Sequence, residues 1–279
     1  MAVTTLQTPA TGSAPPSAAA YRPARFANAL LSEWTKIRTL RSTFFTLAAT
    51  VALVVGLGAL ISYEAAAHYS PQNGVWDPTT DSLAGLVIGQ LTIAVLGVLA
   101  ITGEYSTGML RTSLAAVPRR GRLLAAKAAV FGAVAVVTGE LVSWVAFFVG
   151  QLLISGHQPT ASLRQPDVAR AVSGGGLYIA LIGLMAIATG TILRHTAAAI
   201  TAVIAVLFVL PGVLEALPNS WRLPVEKYWP TRAGAQIFVV TREANTLSAW
   251  LGFGELALFV AVLFALGYFL LQRRDAGGK

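Results

Sequence analysis

Residues 174–214 read GGGLYIALIGLMAIATGTILRHTAAAITAVIAVLFVLPGVL, two apolar runs with only Arg194 and His195 between them. A helix needs about 20 apolar residues to cross the hydrocarbon layer of a membrane, and residues 174–193 and 196–214 each supply one crossing. Two residues leave no room for anything but a tight helical hairpin. Pro211 is expected to bend or end its second helix, because proline lacks the amide donor and crowds the preceding turn.

Working outward from this hairpin, four more stretches of crossing length stand at 43–61, 83–102, 128–154 and 249–271. The third span, 128–154, is long enough to tilt or to extend beyond the bilayer. The reading is an all-α integral membrane protein with six transmembrane helices. Composition agrees: 55% of the 279 residues are apolar and only 11% are charged, against roughly 25% charged in ordinary soluble domains. The absence of cysteine excludes disulfide frameworks, thiolate nucleophiles and iron–sulfur or cysteine zinc sites. His68, His157 and His195 are the only histidines. None has a second histidine at metal-site spacing, so no metal site is expected.

The net charge of +8 does not point to nucleic acid. The basic residues flank hydrophobic runs, where they meet anionic lipid and set topology, and they form no continuous basic face. Six spans put both termini on one side. If that side is the cytoplasm, the outer loops hold Arg164, Arg170, Arg222, Lys227, Arg232 and Arg242, and the inner segments hold the other 14 of the 20 Lys and Arg. The positive-inside rule therefore places both termini in the cytoplasm. The chain divides into a disordered cytoplasmic tail at 1–25, an amphipathic interfacial helix at 26–41, the six-helix membrane domain at 42–274 and a short cytoplasmic tail at 275–279. The first 20 residues, rich in Ala, Thr, Ser and Pro, have neither a basic residue nor an apolar core and do not read as a signal peptide.

Within 26–41, Phe26, Leu30, Leu31, Trp34, Ile37 and Leu40 recur at helical spacing, while Glu33, Lys36, Arg38 and Arg41 fall largely on the other face. This predicts a helix in the membrane interface, with Trp34 at headgroup depth and Lys36, Arg38 and Arg41 toward anionic lipid. The alternative is a plain extension of the first span. The outer loop at 215–248 carries Pro218, Pro224 and Pro230 with Trp221, Tyr228 and Trp229, then an apolar piece at 235–240 too short to cross. A surface-lying or re-entrant segment is expected there.

Motifs for chemistry are missing. Residues 103–108 have two glycines at phosphate-loop spacing, but Met109 and Leu110 stand where Lys and Ser or Thr are needed. There is no HExxH and no GxSxG. Ser173 precedes three glycines without an evident base, a pattern that belongs to helix packing rather than to a nucleophile. No catalytic residue is expected, and the chain reads as no enzyme. Two carboxylates fall inside spans, Glu140 and Glu255. Each costs at least about 2.5 kcal/mol at membrane depth, so each is a candidate for transport or for structural pairing.

The segment between the second and third spans is GEYSTGMLRTSLAAVPRRGRLLAAK, residues 103–127. Ser106 is suited to cap a short helix, and Pro118 ends it by disfavouring helix at Val117. On spacing alone this is either a docking surface for a soluble partner or a loop kept inside by its charges.

The order Glu104-Tyr105, Thr107-Gly108, Arg111-Thr112-Ser113-Leu114, Pro118-Arg119-Arg120 and Lys127 resembles the stretch after the second helix of bacterial ABC transporter permeases of the type-2 exporter class. Glu33-Trp34-Thr35-Lys36 with Arg38 and Arg41, and Tyr228-Trp229-Pro230 with Ala233-Gly234, are similar to that class as well. The likeness covers residues 26–274. It implies a permease subunit in a bacterial plasma membrane that forms an export path as a dimer with a second permease subunit, identical or related. A separate ABC ATPase would carry ATP and Mg, with no cofactor bound by this chain. The coupling segment would be 104–117, with Glu104, Tyr105, Thr107, Gly108, Arg111 and Leu114 toward the ATPase. Two rivals stand beside this reading: a secondary transporter using Glu140 as an ion or proton site, and a membrane scaffold that transports nothing.

Overall fold

The computed structural model describes residues 26–70, 75–109 and 120–273. The helices, in chain order, are α1 (Phe26–Thr39), α2 (Arg41–His68), α3 (Pro78–Leu83), α4 (Leu86–Ser106), α5 (Arg120–Ile154), α6 (Val168–Leu193), α7 (Thr196–Leu214), α8 (Asn219–Lys227), α9 (Pro230–Ala235) and α10 (Ala249–Arg273). A 3₁₀ turn, Gln236–Phe238, follows α9. No strand occurs among the described residues.

Among the described residues, six helices are long and apolar enough to cross a membrane: α2, α3 with α4, α5, α6, α7 and α10. Each contains one apolar stretch of the sequence and most run past it. α2 continues to His68 and α5 begins at Arg120, because nothing in the flanking polar residues breaks the helical hydrogen-bond ladder. Asp77 starts the α3–α4 span by accepting the Thr80 backbone N–H at 3.0 Å, and Pro78 occupies the first helical position.

α6 is the axis of the bundle. In its most apolar window 67% is buried, against 17% for α2 and 22% for α7 and α10. The closeness comes from small residues, as in membrane helices generally. A Cβ added to Gly174 would lie 2.6 Å from the Ile237 carbonyl oxygen. At Gly175 it would meet Leu86 and Ser143, and at Gly176 the backbone of Glu140. The three glycines after Ser173 are therefore the surface on which three other segments close: the 3₁₀ turn, α4 and α5.

The hairpin turn follows its two-residue connection. Arg194 takes a left-handed conformation (φ 61°), His195 is extended (φ −116°) and α7 begins at Thr196. Pro211 does not end α7, which continues to Leu214. A π-helical turn at Ala205–Val209 precedes it, and such a turn re-registers the backbone ladder ahead of a residue that cannot donate. The segment after α8 does not rest on the surface: Thr231, Ala233, Gly234 and Ile237 are buried against α6 and α10.

Side chains stitch the ends of the bundle remote from α1 to backbone groups. Arg170 of α6 donates to the carbonyls of Gln236 (3.3 Å), Ile237 (2.6 Å) and Val239 (3.0 Å) and pairs with Asp167. The Asp77 carboxylate also accepts from Thr241 N–H at 3.0 Å. Gln151 of α5 donates to Pro78 O and Ser82 Oγ, both at 2.9 Å, and accepts from Ala161 N–H.

Candidate functional site

Leu40 is extended (φ −78°, ψ 112°) and separates α1 from α2. α1 is thus a helix of its own and no extension of the first span. It packs on the opening turns of α5, where Ala29 and Ala126 are both buried in contact. One turn on from Ala29, the same face presents Glu33, only 3% exposed. This corrects the assignment of Glu33 and Lys36 to the lipid- and water-facing side. The apolar count along α1 outlines a stripe, but Leu31 and Trp34 of that stripe are exposed (64% and 49%), because charged partners on α4 and α5 draw the Glu33 face inward.

Those partners form a closed ring. Lys127 Nζ donates to Glu33 Oε2 at 2.6 Å and to Glu104 Oε1 at 2.9 Å. Lys36 Nζ donates to Glu33 Oε1 at 2.6 Å and to Glu104 Oε1 at 2.7 Å. Glu104 and Lys127 are nearly as buried as Glu33, and Lys36 is the partly exposed member. Two ammonium and two carboxylate groups cancel formally, so no net charge is buried. Such a ring contributes little net stability relative to apolar residues, yet removing one member costs about 3–5 kcal/mol because its partners remain buried and unpaired.

Burial alone would push the Glu33 carboxyl up. The Lys127 charge and the hydrogen bonds from both lysines outweigh it and hold Glu33 below the ordinary carboxylate value of 4.5. For Lys36, burial would lower the ammonium, but its bonds to Glu104 and Glu33 raise it above 10.5. Both groups of α1 are therefore charged throughout the neutral range.

Glu104 reaches the ring because α4 continues past Thr102 to Ser106. Ser106 does not open a new helix. Its Oγ donates back to Gly103 O at 3.0 Å, as does that of Thr107 at 2.8 Å, and Gly108 leaves the helix with φ 71°. Both lysines bond to one Glu104 oxygen, and the other, Oε2, is buried with no hydrogen-bond partner among the described residues. The Arg194 guanidinium stands 5.4 Å from the centre of the Tyr105 ring, and Thr196 Oγ1 donates to Thr102 Oγ1 at 2.9 Å. Through these contacts the hairpin turn joins the same end of the molecule. Arg120 adds α10 there by donating to Leu271 O at 2.6 Å.

The structure thus unites Lys36 and Glu104, which sequence reading placed in separate motifs. It adds Glu33 and Lys127, which the sequence places in the same motifs without marking them as partners. The signal for them was the fourfold spacing from Ala29 to Glu33 on a face otherwise small and apolar. Arg38 and Arg41 are exposed and outside the ring, and Trp34 faces away from it. Arg111 and Leu114 lie outside the described residues. Glu140 is far from the ring, thirteen residues or about 20 Å along α5 from Lys127. Its Oε2 accepts from Trp144 Nε1 at 3.1 Å, and its backbone fits against Gly176. Glu255 is also separate, with one carboxylate oxygen buried and no hydrogen-bond partner for it among the described residues. No cluster of metal-ligating side chains occurs among the described residues.

No curated protein matches the chain. The family model of the ABC-2 family transporter proteins matches residues 29–212, from the buried end of α1 through most of α7, roughly two thirds of the chain. With its six helices of membrane-crossing length, the chain is a multi-pass membrane protein that belongs to the ABC-2 transporter family, the permease component of ABC transporters.

Proposed function

We propose that the chain is the permease subunit of an ATP-driven exporter, that two permease subunits enclose the path, and that a separate ATPase docks at the end of the molecule carrying the ion ring. ATP and Mg belong to that partner, and this chain binds no cofactor. The observation that carries the reading is the ring itself. Glu104 closes the second span and Lys127 opens the third, so they bracket the segment that would touch the ATPase, and both are held to α1 through Glu33 and Lys36. A displacement of the segment between them would move three helices together. The helix dimer would then switch its accessible side by a shift in population, as coupled rigid elements do.

In this arrangement Tyr105, Thr107 and Gly108 set the exit of α4, and Arg111 and Leu114 contact the ATPase. α1 lies at the membrane interface with Trp34, Arg38 and Arg41 outward. The distribution of Lys and Arg supports cytoplasmic termini in a bacterial plasma membrane. The test is affinity purification in mild detergent, followed by an ATPase assay on wild type, Glu104→Gln and Arg111→Glu. A copurifying phosphate-loop ATPase whose retention or activity falls in the variants is the expected result. Purification of the permease alone under several detergents would overturn the reading and favour the secondary transporter built on Glu140.

A further inference from the structure

The side of α1 opposite the ion ring forms a groove with α5, of about 550 Å³. Leu30, Leu31 and Trp34 line it from α1, and Ala129, Ala133 and Val137 from α5. Thr138 at its far end supplies the single hydroxyl among its side chains. From Ala129 to Thr138 the groove follows α5 for nine residues, about 13 Å. One leaflet of hydrocarbon is about 15 Å deep, half of the whole core. Groove and leaflet thus match in length.

No lining side chain is charged; cations stand where the walls leave the groove at the start of α5, and Glu140, seven residues past Ala133, stands beyond its far end. Arg38 follows Trp34 by four residues, one turn further along the same stripe of α1. Arg122 precedes Ala129 by seven residues, two turns back along the same stripe of α5. Both arginines are exposed, and neither makes an ion pair among the described residues. The concavity is uncharged within and carries a cationic residue on each wall beyond it. That is the complement of an amphiphile with one long apolar chain and an anionic head. Residues 1–20, rich in Ala, Thr, Ser and Pro, offer no apolar run to fill the groove in its place.

We propose that an anionic phospholipid of the adjoining leaflet seats one acyl chain in the groove between α1 and α5, with its phosphate toward Arg38 and Arg122. The proposal rests on the interfacial position of α1 given above, and it adds a resident lipid to it. Glu33 is buried in the ring while Leu31 and Trp34 line the groove, so the lipid and the ion ring grip different faces of α1. Loss of the lipid therefore loosens α1 on one side without touching any member of the ring.

The full chain, reconstituted in lipid nanodiscs, is photolabelled with phosphatidylglycerol or with phosphatidylcholine carrying a diazirine on the acyl chain. Labelled peptides are then mapped by mass spectrometry. Phosphatidylglycerol is expected to label residues 30–34 and 129–138 about fivefold more than phosphatidylcholine, the factor one basic residue near an anionic surface contributes. Arg38→Gln, a change at an exposed position, should lower that preference, and Arg38→Gln with Arg122→Gln should abolish it. Ala133→Phe, which fills the groove, should lower labelling by both lipids at these peptides alone. Equal labelling by the two lipids, or a preference that survives both Arg38→Gln and Arg122→Gln, would mean ordinary bilayer contact and defeat the site while leaving α1 at the interface. No labelling of 30–34 by either lipid would defeat the interfacial position of α1 as well, and cross-linking to protein in its place would assign the groove to a polypeptide.

Discussion

The two ends of the bundle are held together by different means. At the end that carries α1, four charged side chains from α1, α4 and α5 close on one another. At the opposite end, Arg170, Asp77 and Gln151 reach mainly to backbone carbonyl and amide groups of neighbouring segments. A bond to backbone fixes a loop to one place, since the backbone group cannot turn away without unravelling its own segment. A ring of long side chains can instead exchange partners while its helices slide. The α1 end is thus joined by groups that can exchange partners, and the far end by groups that cannot.

The comparison breaks most sharply at Lys127. Lys127→Met would leave Glu33 and Glu104 buried with one lysine between them, and a loss of about 3–5 kcal/mol is expected. Thermal unfolding in detergent measures it. Adding Glu33→Gln should restore a good part of that loss, as coupled neighbours do, and a double variant no better than the single would show that the ring is not the unit claimed. Arg170→Ala is expected to be milder and local, about 1.5–3 kcal/mol for lost bonds from a charged donor. Hydrogen exchange should rise around 236–239 while α1 keeps its protection. If α1 exchanges faster too, the two ends are not independent.

The smallest effect concerns pH. Because Glu33 sits below its ordinary value, its contribution is present above about pH 4.5 and is lost as pH falls through the lowered value. Lys36 is raised, so its contribution is present below its ordinary 10.5 and is lost only as pH rises beyond that. The stability difference between wild type and Glu33→Gln should be flat from pH 6 to 9 and should shrink in acid. A midpoint near neutrality would mean that Glu33 lacks its lysines.

Length and apolarity made the six crossings and the Arg194–His195 turn legible, because the hydrocarbon thickness of a membrane imposes them whatever the packing. The ring was hidden for the opposite reason. Glu33, Lys36, Glu104 and Lys127 meet from three helices, and a charged residue at the edge of an apolar stripe reads as solvent-facing until its partner is placed. Pro211 was legible only in part: the helix continues through it to Leu214, and the π turn ahead of it leaves no mark in the residue pattern. The three glycines at 174–176 announced close packing, but which neighbours they admit follows only from the position of α6 at the axis.

Leu40 gives α1 a mechanical character. One extended residue joins α1 to the first span, so a rotation of α1 against that span would pivot there. Treated as a rigid rod of 14 residues, it is about 20 Å long, with Lys36 about 6 Å and Glu33 about 10 Å from the pivot. A push at Phe26 therefore arrives at Lys36 with roughly a third of its travel and three times its force. The short arm of the lever grips the ring, which suits a device that must prise apart strong bonds with a small stroke.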